Sequence, residues 1–146
     1  MSDLEIKIEH KEQELYTFNI RNKEKFIVQA KSENLGEINW FTENKKAILD
    51  DELSVLQENM SIAESIKNFY ENIESKTDEE VDRVYEYRTT HGLRFAFRGQ
   101  DIDDIYIGKI SEDRYEISEA GGTHWSITID INDFFHQLNN EIARHM

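Results

Sequence analysis

Two histidines and a run of arginines are the residues whose types and positions could do acid–base or anion chemistry. His91 and His124 stand beside Gly and Trp at the ends of alternating segments, where an imidazole that titrates near neutral pH could be displayed to a substrate. Arg88, Arg94 and Arg98 lie close by in the chain. In LRFAFR the alternation puts Leu93, Phe95 and Phe97 on one face and both arginines on the other. A guanidinium fork matches phosphate or carboxylate, so these arginines with His91 and His124 make a candidate anion pocket, and with Glu86 a candidate hydrolytic set. The same arginines can equally pair with the acid around them. No two histidines have the spacing of a zinc helix, no Ser sits in a nucleophile elbow, and the chain has no Cys. Thiolate catalysis, disulfides and Cys-ligated metals are thereby excluded, and the balance favours a protein that is not an enzyme and carries no cofactor.

A second cluster is the turn GQDIDDI, with Asp101, Asp103 and Asp104. Three close carboxylates suit Ca²⁺ or Mg²⁺, yet the segment lacks the Gly and the closing Glu of a calcium loop, so it reads as a solvated acidic turn with no metal.

Charge is the most informative feature. With 17 Lys and Arg against 31 Asp and Glu, the formal charge is -14 on 146 residues. Such a body repels phosphate backbones and anionic lipid surfaces and attracts basic partners, so direct nucleic-acid or membrane binding is not expected and a basic protein partner is. The distribution is uneven. Residues 1–31 balance, residues 32–82 carry fourteen acids against four bases, residues 83–100 carry one against four, and residues 101–146 carry ten against three. In the middle, Asp50, Asp51, Glu52 and Glu58, then Glu71 and Glu74, then Asp78, Glu79, Glu80 and Asp82 fall mostly off the apolar stripe. They form either a solvated face or, together with Asp101, Asp103 and Asp104, a docking surface for a cationic site.

The elements that must hold these groups follow from periodicity. Leu4, Ile6 and Ile8, then Tyr16, Phe18 and Ile20, then Phe26, Val28 and Ala30 alternate as half-buried strands, with a hairpin turn at Arg21 to Lys25. Asn34 and Gly36 predict a turn, and Glu37 to Thr42 a fourth strand. From Lys45 to Ser75 apolar residues recur at three and four positions, which predicts two consecutive helices, the second opened by the capping box Ser61 with Glu64. Thr77 with Glu80 repeats that signal for one short extra turn. Further strands are predicted at Val84 to Thr89, Leu93 to Arg98, Ile105 to Ile110, Tyr115 to Ser118 and His124 to Ile129, with Gly92, Gly99, Glu112-Asp113 and Gly121-Gly122 as turns. Asp130 or Asn132 then caps a helix with Ile131, Phe134, Phe135, Leu138 and Ile142 on one stripe.

The sum is a single α+β domain over residues 1–146, mainly antiparallel, with about eight or nine short strands, a central helical pair and a C-terminal amphipathic helix. Gly36 with Trp40 and Gly121 with Trp125 follow similar strand pairs, which suggests two repeated hairpin-plus-helix units about a pseudo-twofold axis. The first residues, MSDLEIKIEH, lack the apolar core of a leader, and no stretch reaches the length of a membrane span, so the expected compartment is the cytoplasm.

The closing stretch DRYEISEAGGTHWSITIDINDFFHQLNNEI resembles the C-terminal part of small bacterial immunity proteins that protect a cell against its own polymorphic or contact-dependent toxins. The likeness lies in a strand carrying Trp, an acidic cap, and a helix of the form DFFxxLxxEI over Asp133 to Ile142. It implies a small, acidic, cofactor-free inhibitor that covers the active site of a basic toxin such as a nuclease. The same charge would suit a phage-encoded inhibitor of a defence protein, or a mimic of DNA. A small enzyme or ligand-binding domain built on His91, His124, Arg94 and Arg98 is the reading from a different class.

Overall fold

The computed structural model describes residues 4–12, 15–23, 25–33 and 35–146. Among these the fold is α+β, with two three-stranded antiparallel sheets and five helices. The first sheet is a meander of β1 (Leu4–Glu12), β2 (Leu15–Asn22) and β3 (Lys25–Glu33). Its register aligns Ile6 with Ile20 and Val28, and Ile8 with Phe18 and Ala30, so two apolar rows cross all three strands on the buried face. Glu5, Lys7 and Glu9 alternate with them and face water. The strands meet at Asn22 and Lys25, within the expected turn; Glu24 of that turn, and Asn34 of the next, lie outside the described residues.

Both outer edges of this sheet are closed by side-chain amides. On β1 the helix α5 (Ile131–Arg144) runs alongside, and Gln137 accepts from Ile6 N at 2.9 Å while donating to Leu4 O at 2.9 Å. Glu141 accepts from Ile8 N at 2.8 Å, and Arg144 and His145 both donate to Ile8 O. On β3, Gln100 accepts from Lys31 N at 2.7 Å and donates to Lys31 O. Each glutamine supplies the donor and acceptor that a neighbouring strand would, which removes part of the exposed ladder that makes sheet edges prone to pairing.

The second sheet is β4 (Ile105–Ser111), β5 (Arg114–Glu119) and β6 (Trp125–Ile129), in that order. One face carries Ile105, Ile107, Ile117 and Ile129 into a core shared with the first sheet, with Phe41, Phe97 and Phe134. Phe18 packs 5.4 Å from Phe41 and from Phe97 at its centre. The other face, with Tyr106, Gly108, Glu116 and Ser118, is covered by two helices, so the middle of β4 and β5 is buried on both sides.

Those helices are α3 (Ile62–Glu71) and α4 (Asp78–His91), and each opens on the capping box expected of it, Ser61 with Glu64 and Thr77 with Glu80. The Thr77 signal begins fourteen residues of helix, not one turn. This corrects the expected strand at Val84 to Thr89: VYEYR alternates, but Val84, Tyr87 and His91 are buried at helical spacing and Gly92 ends the helix. Leu93 to Arg98 is likewise no strand but a short 3₁₀ turn with Leu93 and Phe97 buried four positions apart. Glu37 to Thr42 leads into the helical turn α1 (Trp40–Glu43), followed by α2 (Lys45–Asp50). The expected long first helix therefore stops at Asp50, and residues 51–60 are irregular around the buried Leu53.

The described strands number six, fewer than the eight or nine expected, because these three alternating segments fold locally instead. Each sheet is followed by helix, but Trp40 opens a helix whereas Trp125 opens a strand, so the two tryptophans are not equivalent positions of a repeat. No helix among the described residues is long and apolar enough to cross a membrane.

Candidate functional site

The covered face of the second sheet is polar at its centre. Ile62 N donates to the Glu116 carboxylate at 2.6 Å, and Ala63 N to Ser118 Oγ at 3.1 Å, so two side chains of β5 take the first free donors of α3. A buried carboxylate at the positive end of a helix is held there by the dipole and by the hydrogen bond together. Gly108, opposite Glu116 on β4, leaves room for Tyr87 and His91, whose rings stack with centroids 3.7 Å apart.

His91 is fully buried, with Nδ1 beside Thr90 Oγ1 and Tyr87 O and Nε2 3.1 Å from Ala47 O. Burial holds its pKa below the ordinary imidazole value against the pull of those carbonyls and of Asp51. It is a neutral ring joining α2 to α4, not a displayed base. His124 is exposed in the turn between β5 and β6, at φ 50, and its amide donates to Glu119. Glu119 itself is buried; burial works to raise its pKa, but donors from Gly122, Thr123 and His124 outweigh that and hold it below the ordinary carboxylate value.

The arginines also part company. Arg94 and Arg98 are exposed beyond α4, with Arg98 over the Phe95 ring at 5.4 Å. Arg88 is half-buried against the other side of the structure's polar interface, donating to Tyr106 OH at 3.0 Å and Tyr70 OH at 3.3 Å. Burial opposes its charge, but these phenolic oxygens favour the cation, and its pKa rises above the ordinary guanidinium value. The expected grouping of His91, His124, Arg94 and Arg98 in one pocket is therefore corrected: a buried ring, an exposed turn and an exposed 3₁₀ segment hold them apart.

The acidic residues divide by what each has to do. Asp78, Glu79 and Glu80 form the first turn of α4, where the helix dipole favours carboxylates, and Glu80 also closes the capping box. Thr77 lowers the pKa of Glu80 by donating to it. Glu58 and Asp82 are exposed, as are Glu71 at the end of α3 and Glu74 in the turn after it. Asp101 and Asp103 border the β3 edge, whereas Asp104 borders the space beside Arg88.

Asp50, Asp51 and Glu52 have no such local reason. Asp50 ends α2, Asp51 is its C-cap and Glu52 follows, where carboxylates gain nothing from the helix, and they line two adjoining clefts that share Asp50. The first, of about 460 Å³, adds Glu86, Arg83 and Thr90. The second, of about 770 Å³, adds Glu112, Asp113 and Asp130. Tyr115 OH, donating to Leu49 O at 2.7 Å, fixes α2 against β5 and so sets the distance between the two. None of these seven carboxylates is in an ion pair among the described residues. Glu112, Asp113, Glu86 and Asp130 were not legible as members of this surface, because only the packing of α2 between α4 and the β4–β5 turn brings them to Asp50.

Comparison with protein-family models, with curated proteins and with solved structures finds no match.

Proposed function

We propose that this chain acts by binding, as an acidic inhibitor whose groove around Asp50 takes a basic protein. The observation that carries the reading is the sharing of Asp50 by two clefts lined with seven carboxylates, none of them in an ion pair among the described residues, against one lining cation, Arg83. Like charges lining one groove repel one another, and Asp50 and Asp51, at the last residue and C-cap of α2, stand where the helix dipole disfavours carboxylates. A cationic partner relieves that repulsion, and the field of a body with charge -14 speeds its approach. Together with the resemblance of the closing stretch to immunity proteins, this favours a basic toxin, such as a nuclease with a cationic substrate-binding face, as the partner.

The test is partner capture from the source cell followed by stopped-flow binding. Reversal of Asp50, Asp51 and Glu52 to Lys is expected to slow association at least tenfold and to flatten its dependence on salt, with a smaller change in dissociation. Reversal of Glu71 and Glu74 to Lys, at the end of α3 and in the turn after it and lining neither cleft, is the matched control. Equal affinity in the groove variant and the native chain would remove the proposal, as would a captured partner with no basic surface.

A further inference from the structure

Arg88 is a half-buried cation without a carboxylate in a protein that has carboxylates to spare. Among the described residues it makes no ion pair, although Glu71 and Asp104 border the same cavity. Its partners are two phenols: Nε donates to Tyr106 OH and Nη1 to Tyr70 OH. The guanidinium also lies 5.1 Å from the Tyr70 ring centre and 5.8 Å from that of Phe95. Tyr106 is 1% exposed, and Tyr70 and Phe95 are half-buried. A guanidinium carries five N–H donors, so three of them have no partner here among the described residues.

The space beside it has a ligand-sized volume. Arg88, Tyr70 and Lys67 border a cavity of about 380 Å³ whose floor includes Ile66 and the buried Ala120. Small-molecule sites share this form, an apolar floor with a few fixed polar groups, and begin at about 300 Å³. We infer that this cavity is a binding site for a small monocarboxylate with an apolar body, its two oxygens on the Arg88 fork and its body on Ile66 and Ala120. A planar carboxylate matches a guanidinium bidentately, and Lys67 adds a second, mobile positive charge. A phosphate dianion fits less well, because its second charge would meet Glu71 and Asp104. This site lies apart from the groove around Asp50 and does not depend on it.

The probes are benzoate, acetate and inorganic phosphate, titrated at constant ionic strength into the ¹⁵N-labelled full chain. The amides of Ala120 and Gly121 and the Arg88 Nε–H are followed. Benzoate is expected to give saturable shifts at these positions, acetate to bind more weakly, and phosphate at least fivefold more weakly than benzoate. Arg88→Met should weaken benzoate at least tenfold, and Arg88→Lys, which keeps the charge and loses the fork, should fall between it and the native chain. Non-saturating shifts, tighter binding of phosphate, or an unchanged response in folded Arg88→Met would each overturn the assignment. Should Arg88→Met fail to fold, the exposed Lys67→Gln decides: a two- to threefold loss supports the site, and unchanged affinity overturns it.

Discussion

The two sheets solve the problem of burial differently. The first is apolar on one face and charged on the other, and its outward residues touch little besides water and one another. The second has a face against the common core and a further face under α3 and α4, and there it carries Glu116, Ser118 and Tyr106 against Tyr87, His91 and Arg88. A one-sided sheet needs only alternation. A two-sided one with a polar interface must pair nearly all of its buried polar groups, because an unpaired buried donor costs about 1–3 kcal/mol. Substitutions on the non-core faces of the two sheets should therefore differ sharply in cost.

The largest contrast is expected between Glu116→Ala and Lys7→Ala. Loss of the Glu116 carboxylate leaves Ile62 N without its acceptor and the positive end of α3 without its anion, which together should cost about 3 kcal/mol. Lys7 is exposed on the first sheet, and its truncation should change stability by less than about 0.5 kcal/mol. Urea unfolding measures both. Equal costs would mean that the two outer faces are alike after all.

Next in size is Gly108→Ala. In a strand, replacing Gly by Ala normally gains about 0.5–1 kcal/mol by restricting the unfolded chain. Here the added Cβ would land against the Tyr87 hydroxyl and 3.0 Å from His91 Cδ2. Overpacking of this kind costs about 1–3 kcal/mol, so the clash wins and the variant should be less stable. A gain in melting temperature would show that α4 can lift from the sheet at little cost.

Acid should act on the second sheet before the first. His91 has a lowered pKa in the folded state, so below the ordinary imidazole value of about 6.5 the unfolded chain takes up a proton that the folded chain resists. Its contribution is whole above that value and is lost as pH falls through the folded pKa; the carbonyls of Tyr87 and Ala47 and the charge of Asp51 offset part of the effect of burial. Glu119, also lowered, adds a loss at still lower pH, when the turn between β5 and β6 gives up its carboxylate. Hydrogen exchange between pH 7 and pH 4 should show α2, α4 and β4 losing protection earlier than β1 to β3. His91→Gln should flatten the upper part of that dependence.

The same contrast explains what the chain revealed before folding. In the first sheet the alternation of Leu4, Ile6 and Ile8 with Glu5 and Lys7 maps one-to-one onto inside and outside, and the strands fell where it placed them, but a register shift between Ile20 and Arg21 turns Phe26, expected inward with Val28 and Ala30, out to water. Both capping boxes, Ser61 with Glu64 and Thr77 with Glu80, are local devices and were equally legible. Val84 to Thr89 misled because tyrosines at 85 and 87 mimic a strand, whereas the 84, 87, 91 spacing after a cap marked a helix. Acidic residues 50–52 were legible as candidates, but their groove partners Glu112, Asp113 and Asp130 arrive through tertiary packing sixty or more residues away. The glutamines that close the sheet edges carry no local signal at all.

Within the polar interface, Tyr87→Phe should have the smallest effect and the opposite sign. Tyr87 is 7% exposed, and its hydroxyl has no hydrogen-bond partner among the described residues. Burial, with the charges of Glu116 and Asp51, keeps that phenol protonated far above its ordinary pKa, so it stays a neutral donor without an acceptor. Removing the oxygen gives up no bond, keeps the ring stacked on His91, and should leave stability unchanged or raise it by up to about 1 kcal/mol. It also removes the atom that a Cβ at position 108 meets first, so the double variant Gly108→Ala with Tyr87→Phe should recover part of the loss in Gly108→Ala. A clear destabilisation by Tyr87→Phe, with no recovery in the double variant, would instead place an acceptor on that hydroxyl and make the phenol a working part of the interface between α4 and the second sheet.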